Sequence, residues 1–398
     1  MANNNVMTLE DKKGNILILG NSGVGKSTLI NAILSTDDAE TGIGIKGTTD
    51  TLESYDCSEY GCPELNMRFI DTPGFEPSLT RRIKIINSVR KWSDGVTKDN
   101  KNGKIDEIWF CVDGMAAKLF PDTIKNLSAA ISFWKTVPII VVITKSFSEP
   151  DRKNNIKMIK DAFHKQKSLE KNLKAIIPVV ASTLTINDSS FAAPYGIPEL
   201  IDKATEILPE GMKASAHDIN AYKLQRKRIL AQTVVGAATG GAVIVGAVPI
   251  PFSDAALLGP IEVGEVNGVA TVYGVVKDEQ TKLFIDQIIK VGTVSAAAKM
   301  AISALKAIPG VNIGANVINA IIAGAIAAAI GEGSIYAFEQ IYLGKKTTKD
   351  IDWITKFMES QMANGFVEKV SNIIKKASDG ADNATISKMV REAFSKTD

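Results

Sequence analysis

One nonapeptide near the beginning of the chain constrains the fold more than any other feature. The stretch GNSGVGKST, residues 20–28, has the spacing G-x-x-x-x-G-K-[ST]. In this motif the glycines let the backbone wrap around phosphate oxygens with its amide hydrogens pointing inward. The stretch follows the apolar run NILILG and opens KSTLINAIL, whose apolar spacing is that of a helix. Because the motif requires this strand–loop–helix context, the sequence predicts a phosphate-binding loop.

The residues of this loop have separate predicted tasks. Lys26 is expected to bridge the β- and γ-phosphates of a nucleotide, and the Ser27 hydroxyl is expected to bind Mg²⁺. The N-terminus of the following helix adds the favourable end of its dipole. The predicted nucleotide-binding residues of the loop are Gly20, Asn21, Ser22, Gly23, Val24, Gly25, Lys26, Ser27 and Thr28.

A second phosphate-side motif is DTPG, residues 71–74, which follows the strand-like MRFI. Asp71 at a strand end can support Mg²⁺, and the Gly74 amide can meet the γ-phosphate. The same four residues also suit an ordinary turn, an alternative that their position one strand after the phosphate loop disfavours. The predicted nucleotide site therefore includes Asp71 and Gly74.

Between the two motifs lies a polar, glycine-rich stretch, TGIGIKGTTDTLESYD at 41–56. A nucleotide-bound Mg²⁺ needs a hydroxyl from such a loop, and Thr48 and Thr49 both qualify. Thr49 is favoured because the alternating run TLESYD begins just beyond it. The predicted catalytic residues are Lys26, Thr49 and Gly74. The predicted metal ligands are Ser27, Thr49 and Asp71.

Composition divides the chain into two parts. The first part alternates apolar runs with amphipathic helical stretches, and its strand candidates are 15–20, 67–72, 107–114, 137–144 and 175–182. This βαβα order predicts an α/β domain with a mostly parallel sheet. In the second part Ala, Gly, Val and Ile dominate and strand alternation disappears, which predicts an all-α domain. The predicted domains are 1–212 and 213–398.

Together with the ITK run at 143–145, these motifs resemble those of a Ras-like P-loop GTPase of the Era/septin-like branch. The resemblance covers residues 1–212, which would be the GTP-binding G domain. It implies binding of GTP and GDP with Mg²⁺, and slow hydrolysis at the γ-phosphate. The stretch ASTL at 181–184 resembles the last guanine-contacting loop, in which the amide of Ala181 or Ser182 would donate to guanine O6.

On the guanine side the resemblance also carries over to Thr144 and Lys145 of VVITKSFSEP. Phe147, however, stands where such loops have an Asp whose carboxylate pairs with the guanine edge. That lost contact is worth roughly 1.5–3 kcal/mol, so either a carboxylate from Glu149 or Asp151 replaces it or purine binding is relaxed. Asp151 also suits a helix cap. Guanine stays the prediction because the other motifs belong to this branch.

Two departures from the family pattern concern hydrolysis. Gly23 occupies the place where many Era-type members have an Asn that serves a potassium-assisted mechanism, so potassium activation is not expected. Phe75 and Glu76 stand where Ras-like members have a water-positioning Gln, and a Phe cannot orient water by hydrogen bonding. We therefore expect slow turnover by the isolated chain, with acceleration from a homodimer across the nucleotides or from a partner.

The predicted helical domain holds two uncharged Ala/Gly-rich stretches, 229–253 and 307–331. The first is long enough to span a bilayer and follows the basic KLQRKR, which suits an anionic membrane surface. An Ala/Gly-rich helix suits the centre of a bundle equally well. The alternatives are therefore a bundle that touches membranes peripherally, a membrane-inserting hairpin and a purely soluble bundle. This domain resembles the helical region of poorly characterised bacterial GTPases.

Charge and cysteine content limit the partners. Lys plus Arg total 46 against 44 Asp plus Glu, so no nucleic-acid partner is expected. The three cysteines fit no disulfide framework, which indicates the cytoplasm, with peripheral or integral membrane association left open. The predicted function is a GTP-dependent switch with the helical domain as effector. The alternatives are a non-hydrolysing nucleotide-dependent scaffold and a ribosome- or RNA-assembly GTPase.

Overall fold

The computed structural model divides the chain into two compact units. The residues that the structure describes are 13–39, 52–74, 83–85, 87–89, 91, 104–130, 136–187, 190–248, 254–294, 314–363, 365–377 and 380–395. The first unit comprises 1–181 and 195–226, and the second comprises 182–194 and 227–398. Residues 213–226 are therefore packed with the first unit. We retain 1–212 and 213–398 as a proposal for the domain division.

A six-stranded sheet forms the centre of the first unit. Its strands are β1 Gly14–Gly20, β2 Glu53–Asp56, β3 Met67–Asp71, β4 Glu107–Asp113, β5 Ile139–Thr144 and β6 Leu173–Pro178. Their order across the sheet is β2-β3-β1-β4-β5-β6. All neighbouring strands are parallel except β2 and β3, which are antiparallel. The predicted α/β fold with a mostly parallel sheet is confirmed.

Burial explains why these runs form the central strands. All seven residues of β1 and all six residues of β5 are buried, as expected of parallel strands covered on both faces. Phe69 of β3 and Trp109 of β4 are fully buried, with ring centroids 5.2 Å apart. The parallel register brings the carboxyl ends of β1, β3, β4 and β5 to one edge of the sheet. This edge holds the candidate site.

The helices of the first unit follow the predicted amphipathic stretches. They are α1 Lys26–Leu34, α2 Phe120–Ala130, α3 Glu149–His164, the short α4 Lys167–Glu170, and α5 Ile197–Ile207. Phe120 and Phe163 are fully buried and belong to the same hydrophobic cluster as the strand residues Phe110 and Val141. The helices thereby bury apolar side chains against the sheet. The sequence predicts a helix over 119–135, of which residues 131–135 lie outside the described residues.

The described residues of the second unit form helices and one hairpin that the sequence did not predict. The hairpin strands are β7 Leu184–Asn187 and β8 Ser190–Ala192. The remaining elements are α6 Ala216–Gly246, α7 Asp254–Tyr273, α8 Glu279–Val294, α9 Ala315–Tyr342, α10 Ile351–Ala363, α11 Phe366–Lys376 and α12 Asn383–Phe394. The first residues of α6, up to Arg226, are counted with the first unit. The predicted all-α region is confirmed.

Helix α9 is largely buried within the second unit. It packs against α7, α8, α10, α11 and α12, and a Cβ added at Gly331 would lie 2.6 Å from a methyl carbon of Val235 on α6. Two described helices are long and apolar enough to cross a membrane, 217–246 with mean hydropathy 1.7 and Ala315–Tyr342 with 1.6. Because 89% of the apolar window of the second is buried, against 56% for the first, α9 is placed as the core helix of a bundle.

Candidate functional site

The phosphate loop connects the end of β1 to the start of α1. Gly23 and Gly25 have φ angles of 73° and 96°, which lie in the left-handed region that glycine adopts without steric cost. Gly25 is the N-cap residue of α1, and Ser27 and Thr28 lie in its first turn. The backbone is therefore shaped as the predicted motif requires, with the helix N-terminus facing the loop.

Lys26 is the buried cation of this loop. Its side chain is 7% exposed, and Nζ lies 3.4 Å from the carbonyl oxygen of Asn21 and 3.5 Å from that of Gly20. Burial lowers the pKa of Lys26, and the nearby Asp71 and Cys111 oppose that shift. An ammonium with two long contacts to carbonyls, removed from water, is electrostatically suited to an anionic ligand.

Ser27 and Asp71, two of the predicted metal ligands, are in direct contact. The Ser27 hydroxyl donates to Asp71 Oδ2 over 2.8 Å. Asp71 is fully buried, and its other oxygen, Oδ1, has no hydrogen-bond partner within the described part of the chain. Burial raises the pKa of Asp71, while the charge of Lys26 and the Ser27 bond oppose the rise. A hydroxyl next to an unpaired buried carboxylate oxygen fits the oxygen ligands that Mg²⁺ prefers.

The DTPG motif lies directly against the phosphate loop. The Thr72 hydroxyl donates to the Ile18 carbonyl over 2.7 Å, which fixes the motif to β1. A Cβ added at Gly74 would lie 2.4 Å from both N and Cα of Ser22, so a larger residue does not fit there. The predicted Thr49, its alternative Thr48, and the departures Phe75 and Glu76 lie outside the described residues.

The residues predicted to lie near the base hold β5 against the phosphate loop. Thr144 Oγ1 lies 2.5 Å from the Val24 carbonyl oxygen and 3.0 Å from that of Val112. Lys145 has a φ of 52°, unusual for a residue with a side chain, and its Nζ donates to the Gly23 carbonyl over 2.9 Å. The base-side strand and the phosphate loop therefore share hydrogen bonds.

Asp113 completes this contact and was not predicted from the sequence. Its Oδ2 lies 2.7 Å from Lys145 Nζ, and its Oδ1 accepts from the Met115 amide over 2.9 Å. Asp113 pairs with Thr144 in the parallel register of β4 and β5. The signal for its role was its position at the carboxyl end of a buried parallel strand, next to a strand that carries predicted site residues.

A cavity of about 300 Å³ adjoins Lys145. Its lining residues come from the segments after β4 and β5 and from α3, and they are Gly114, Met115, Lys145, Ser146, Phe147, Ser148, Asp151 and Asn155. Helix α3 begins at Glu149 with Ser148 as its N-cap residue. Asp151, for which capping was the alternative interpretation, is therefore the third helical residue and not the cap.

The two residues predicted for the last guanine-contacting loop are divided between the compact units. Val180 pairs with Tyr195 in an isolated bridge, and Ala181 follows it as a half-buried residue of the first unit. Ser182 is exposed and is counted with the second unit. Of the two, Ala181 is thus the one that the first unit contains.

Comparisons with known proteins find GTPases similar to the first part of this chain. Residues 15–145 match the family described as 50S ribosome-binding GTPase. GTPase Era from Lactobacillus helveticus is 26% identical over 203 residues, which are 51% of this chain and 56% of that protein. A probable GTP-binding protein EngB from Methanococcus aeolicus is 27% identical over 180 residues, 45% of this chain and 71% of that protein.

A solved structure of Toc33 from Arabidopsis thaliana, in complex with GDP and Mg²⁺, matches with a TM-score of 0.34 and 17% identity, over 51% of this chain and 87% of that chain. The chain spans about half of the Era protein, 56% of its length. The sequence matches to Era and EngB confirm the resemblance predicted from the motifs. Residues 15–145 of this chain therefore match a GTPase family, and the chain is similar to Era and EngB over about half of its length.

Proposed function

We propose that the chain binds GTP with Mg²⁺, hydrolyses the γ-phosphate slowly and acts as a nucleotide-dependent switch. The observation that carries the proposal is the buried group of Lys26, Ser27 and Asp71, in which Asp71 Oδ1 has no partner among the described residues. The protein keeps a buried cation and a half-satisfied carboxylate together at the mouth of a glycine-rich loop. Such an arrangement is costly unless a ligand completes it.

Each residue has a defined part in the proposed reaction. The loop amides and the Lys26 ammonium hold the phosphate chain and compensate its negative charge. Ser27 and Asp71 would hold Mg²⁺, with Thr49 as the proposed third protein ligand. When bound, the metal neutralises charge on the β- and γ-phosphate oxygens. The amide of Gly74, held against Ser22 of the loop, would donate to a γ-phosphate oxygen.

Slow turnover follows from the residues after Gly74. Phe75 and Glu76 occupy the positions at which a Gln would orient the attacking water, and Phe has no hydrogen-bonding group. The proposal therefore assigns acceleration to a second copy across the nucleotides or to another partner. The helical unit is the proposed effector, in the cytoplasm and at a membrane surface. The burial of α9 favours surface contact over insertion.

The first test is binding of a fluorescent GDP analogue to the full-length chain and its Lys26→Ala variant. Loss of one charge-assisted contact weakens binding by about tenfold to a hundredfold. The matched control is Lys153→Ala, which removes an exposed lysine from α3 and should leave affinity unchanged. Nucleotide-free protein from purification, together with equal affinity of Lys26→Ala and the unsubstituted chain, would overturn the proposal.

Further measurements separate the alternatives for the rest of the function. Phosphate release over hours supports slow hydrolysis, whereas binding without release identifies a scaffold. Flotation with anionic liposomes in the presence of a non-hydrolysable GTP analogue or GDP tests the membrane surface. An equal distribution with both nucleotides contradicts a nucleotide-dependent membrane role. Salt-sensitive RNA binding would instead favour an assembly factor.

A further inference from the structure

The base-binding end of the site lacks the carboxylate that its loop pattern normally supplies. Guanine presents two neighbouring donors, the N1 hydrogen and the N2 amino group, and a carboxylate satisfies both at once. Phe147 has no acceptor. If GTP binds as proposed above, another acceptor near Lys145 must meet these donors, because unpaired buried polar groups are costly.

The cavity beside Lys145 identifies the candidate. Among its described lining residues, Asp151 is the one carboxylate. Glu149, the other candidate from the sequence, is not among the lining residues. Asp113 lies near Lys145 but already uses both oxygens, with Lys145 Nζ and the Met115 amide as donors. Of these three acids, the geometry therefore favours Asp151 as the acceptor for the base, a choice that the sequence alone left open.

The Asp151 carboxylate is free to accept. Within the part of the chain that the structure describes, no hydrogen bond or ion pair engages it, and the N-terminus of α3 has no side-chain cap bond. Asp151 is the third residue of α3, where the positive end of the helix dipole favours an ionised carboxylate. No described protein group therefore competes with a ligand for the Asp151 carboxylate oxygens.

The surroundings of Asp151 are held in place by neighbouring side chains. Arg152 Nε donates to the Ser146 carbonyl over 2.7 Å, and its guanidinium carbon lies 3.9 Å from the centroid of the Tyr195 ring. The Asn155 amide group donates to the Gly114 carbonyl over 2.9 Å. These contacts fix the start of α3 to both segments that line the cavity, so the carboxylate is presented from a rigid wall.

We propose that Asp151 is the specificity-determining carboxylate for the base, accepting from N1–H and N2–H of a guanine bound beside Lys145. A volume of about 300 Å³ lies at the lower end of small-molecule sites. This inference rests on the proposed function, since the phosphate loop must first anchor the nucleotide. It assigns to a helix residue the recognition that the loop position at Phe147 does not provide.

The test is an exchange of base preference. In xanthine a carbonyl replaces the N2 amino group, so an Asn amide can accept from N1–H and donate to that carbonyl, whereas a carboxylate is repelled by it. Asp151→Asn should weaken GDP binding about tenfold or more and strengthen binding of xanthosine diphosphate by a similar factor. Titrations of the full chain with both diphosphates give the ratio directly.

Two further variants control the experiment. Asp161→Asn makes the same change at an exposed position of α3 outside the cavity and should leave both affinities unchanged. Phe147→Asp in the Asp151→Asn background restores an acid to the loop and should restore the preference for GDP. This rescue excludes general damage to the fold as the cause of a weakened Asp151→Asn variant.

The outcomes distinguish this inference from the function on which it rests. If the unsubstituted chain binds neither diphosphate, the proposed function fails. If it binds GDP well and Asp151→Asn keeps the original ratio of GDP to xanthosine diphosphate, only the role of Asp151 is overturned. Equal affinity of the unsubstituted chain for GDP and ADP would also overturn it, because no base-specific carboxylate would then be acting.

Discussion

Buried carboxylates in the two units, Asp71 and Asp56 in one and Glu265 in the other, have different surroundings. In the sheet unit, Asp71 accepts from Ser27 and faces the charge of Lys26, and Asp56 Oδ2 lies 3.1 Å from Arg68. In the helical unit, Glu265 is fully buried and neither of its oxygens has a hydrogen-bond partner among the described residues. Asp71 and Asp56 thus have donors and cations beside them, whereas the charged groups near Glu265 are two further acids, Glu262 and Glu332.

The different surroundings affect the protonation states of these acids. Burial, with the negative charges of Glu262 and Glu332 adding to it, raises the pKa of Glu265 well above its usual range. Burial likewise raises the pKa of Glu262 to about 7. Burial therefore favours the protonated forms of Glu262 and Glu265, whereas the charge of Lys26 and the Ser27 hydroxyl partly offset the effect of burial on Asp71. The sheet unit should respond to nucleotide and the helical unit to pH.

The largest expected effect comes from filling a glycine site in each unit. Gly74→Ala places a Cβ 2.4 Å from the Ser22 backbone, and overpacking of this kind costs about 1–3 kcal/mol. We expect GDP affinity to fall about tenfold or more, measured by titration with a fluorescent analogue. Gly331→Ala, whose Cβ would lie 2.3 Å from Glu265 Oε1, should lower unfolding stability without changing GDP affinity.

A glycine in open space controls for the change itself. Among the described residues beyond its own stretch of helix, a Cβ at Gly259 of α7 would meet no heavy atom within 4 Å, so Gly259→Ala should leave binding unchanged and keep or raise stability. If Gly331→Ala weakened GDP binding as much as Gly74→Ala did, the assignment of nucleotide binding to the sheet unit would break.

The second prediction concerns pH and the helical unit. The unfolded chain releases the Glu262 proton above pH about 4.5, its ordinary value, whereas the folded chain keeps it up to about 7. Stability is therefore full below pH about 4.5 and is lost as pH rises through the folded pKa, by at most about 1.4 kcal/mol per pH unit. Urea unfolding across this window should show the decline, and Glu262→Gln should flatten it. A slope unchanged by Glu262→Gln would contradict the burial argument.

The smallest expected effect is a difference in unfolding stability between two threonine substitutions. One removes a buried hydroxyl that is hydrogen-bonded, and the other removes a buried hydroxyl that is not. Thr144→Val removes the hydroxyl that lies 2.5 Å from the Val24 carbonyl, and it should cost about 1 kcal/mol. Thr239 of α6 is fully buried and its Oγ1 has no partner within the described chain. Thr239→Val should therefore be neutral or stabilising. Denaturant midpoints of the two variants test this, and equal losses would contradict it.

The sequence was sufficient for the elements whose signal is local. The apolar runs at 15–20 and 137–144 predicted strands, and they contain most of the buried strands β1 and β5. Gly23 and Gly25 of the phosphate loop have the left-handed φ angles that the motif requires. Contacts that depend on strand order were not accessible. The ion pair of Asp113 with Lys145 exists because β4 and β5 are neighbours, and sequence separation of the two residues gives no sign of it.

The cavity residue Asp151 and the helical unit show two further limits. Both a cap and a ligand-binding acid suit a position near a helix start, and only the observed start at Glu149 separates them. Uncharged Ala/Gly-rich segments suit membranes and bundle cores equally, because both environments reward apolar surface. The close approach of Gly331 to Val235 and the buried acids of α7 are products of packing, which composition does not encode.

Lys145 has a consequence for how affinity is distributed over a nucleotide. Its amino group donates to the Gly23 carbonyl of the phosphate loop and to Asp113 at the end of β4, and it lies at the start of the segment that lines the cavity proposed for the base. The binding free energy contributed by the base then depends on whether the phosphates are bound, and the reverse also holds. The binding free energies of guanosine and of pyrophosphate, measured separately, should therefore sum to much less than the binding free energy of the whole nucleotide. The reason is that one ammonium group positions the segments at both ends of the ligand.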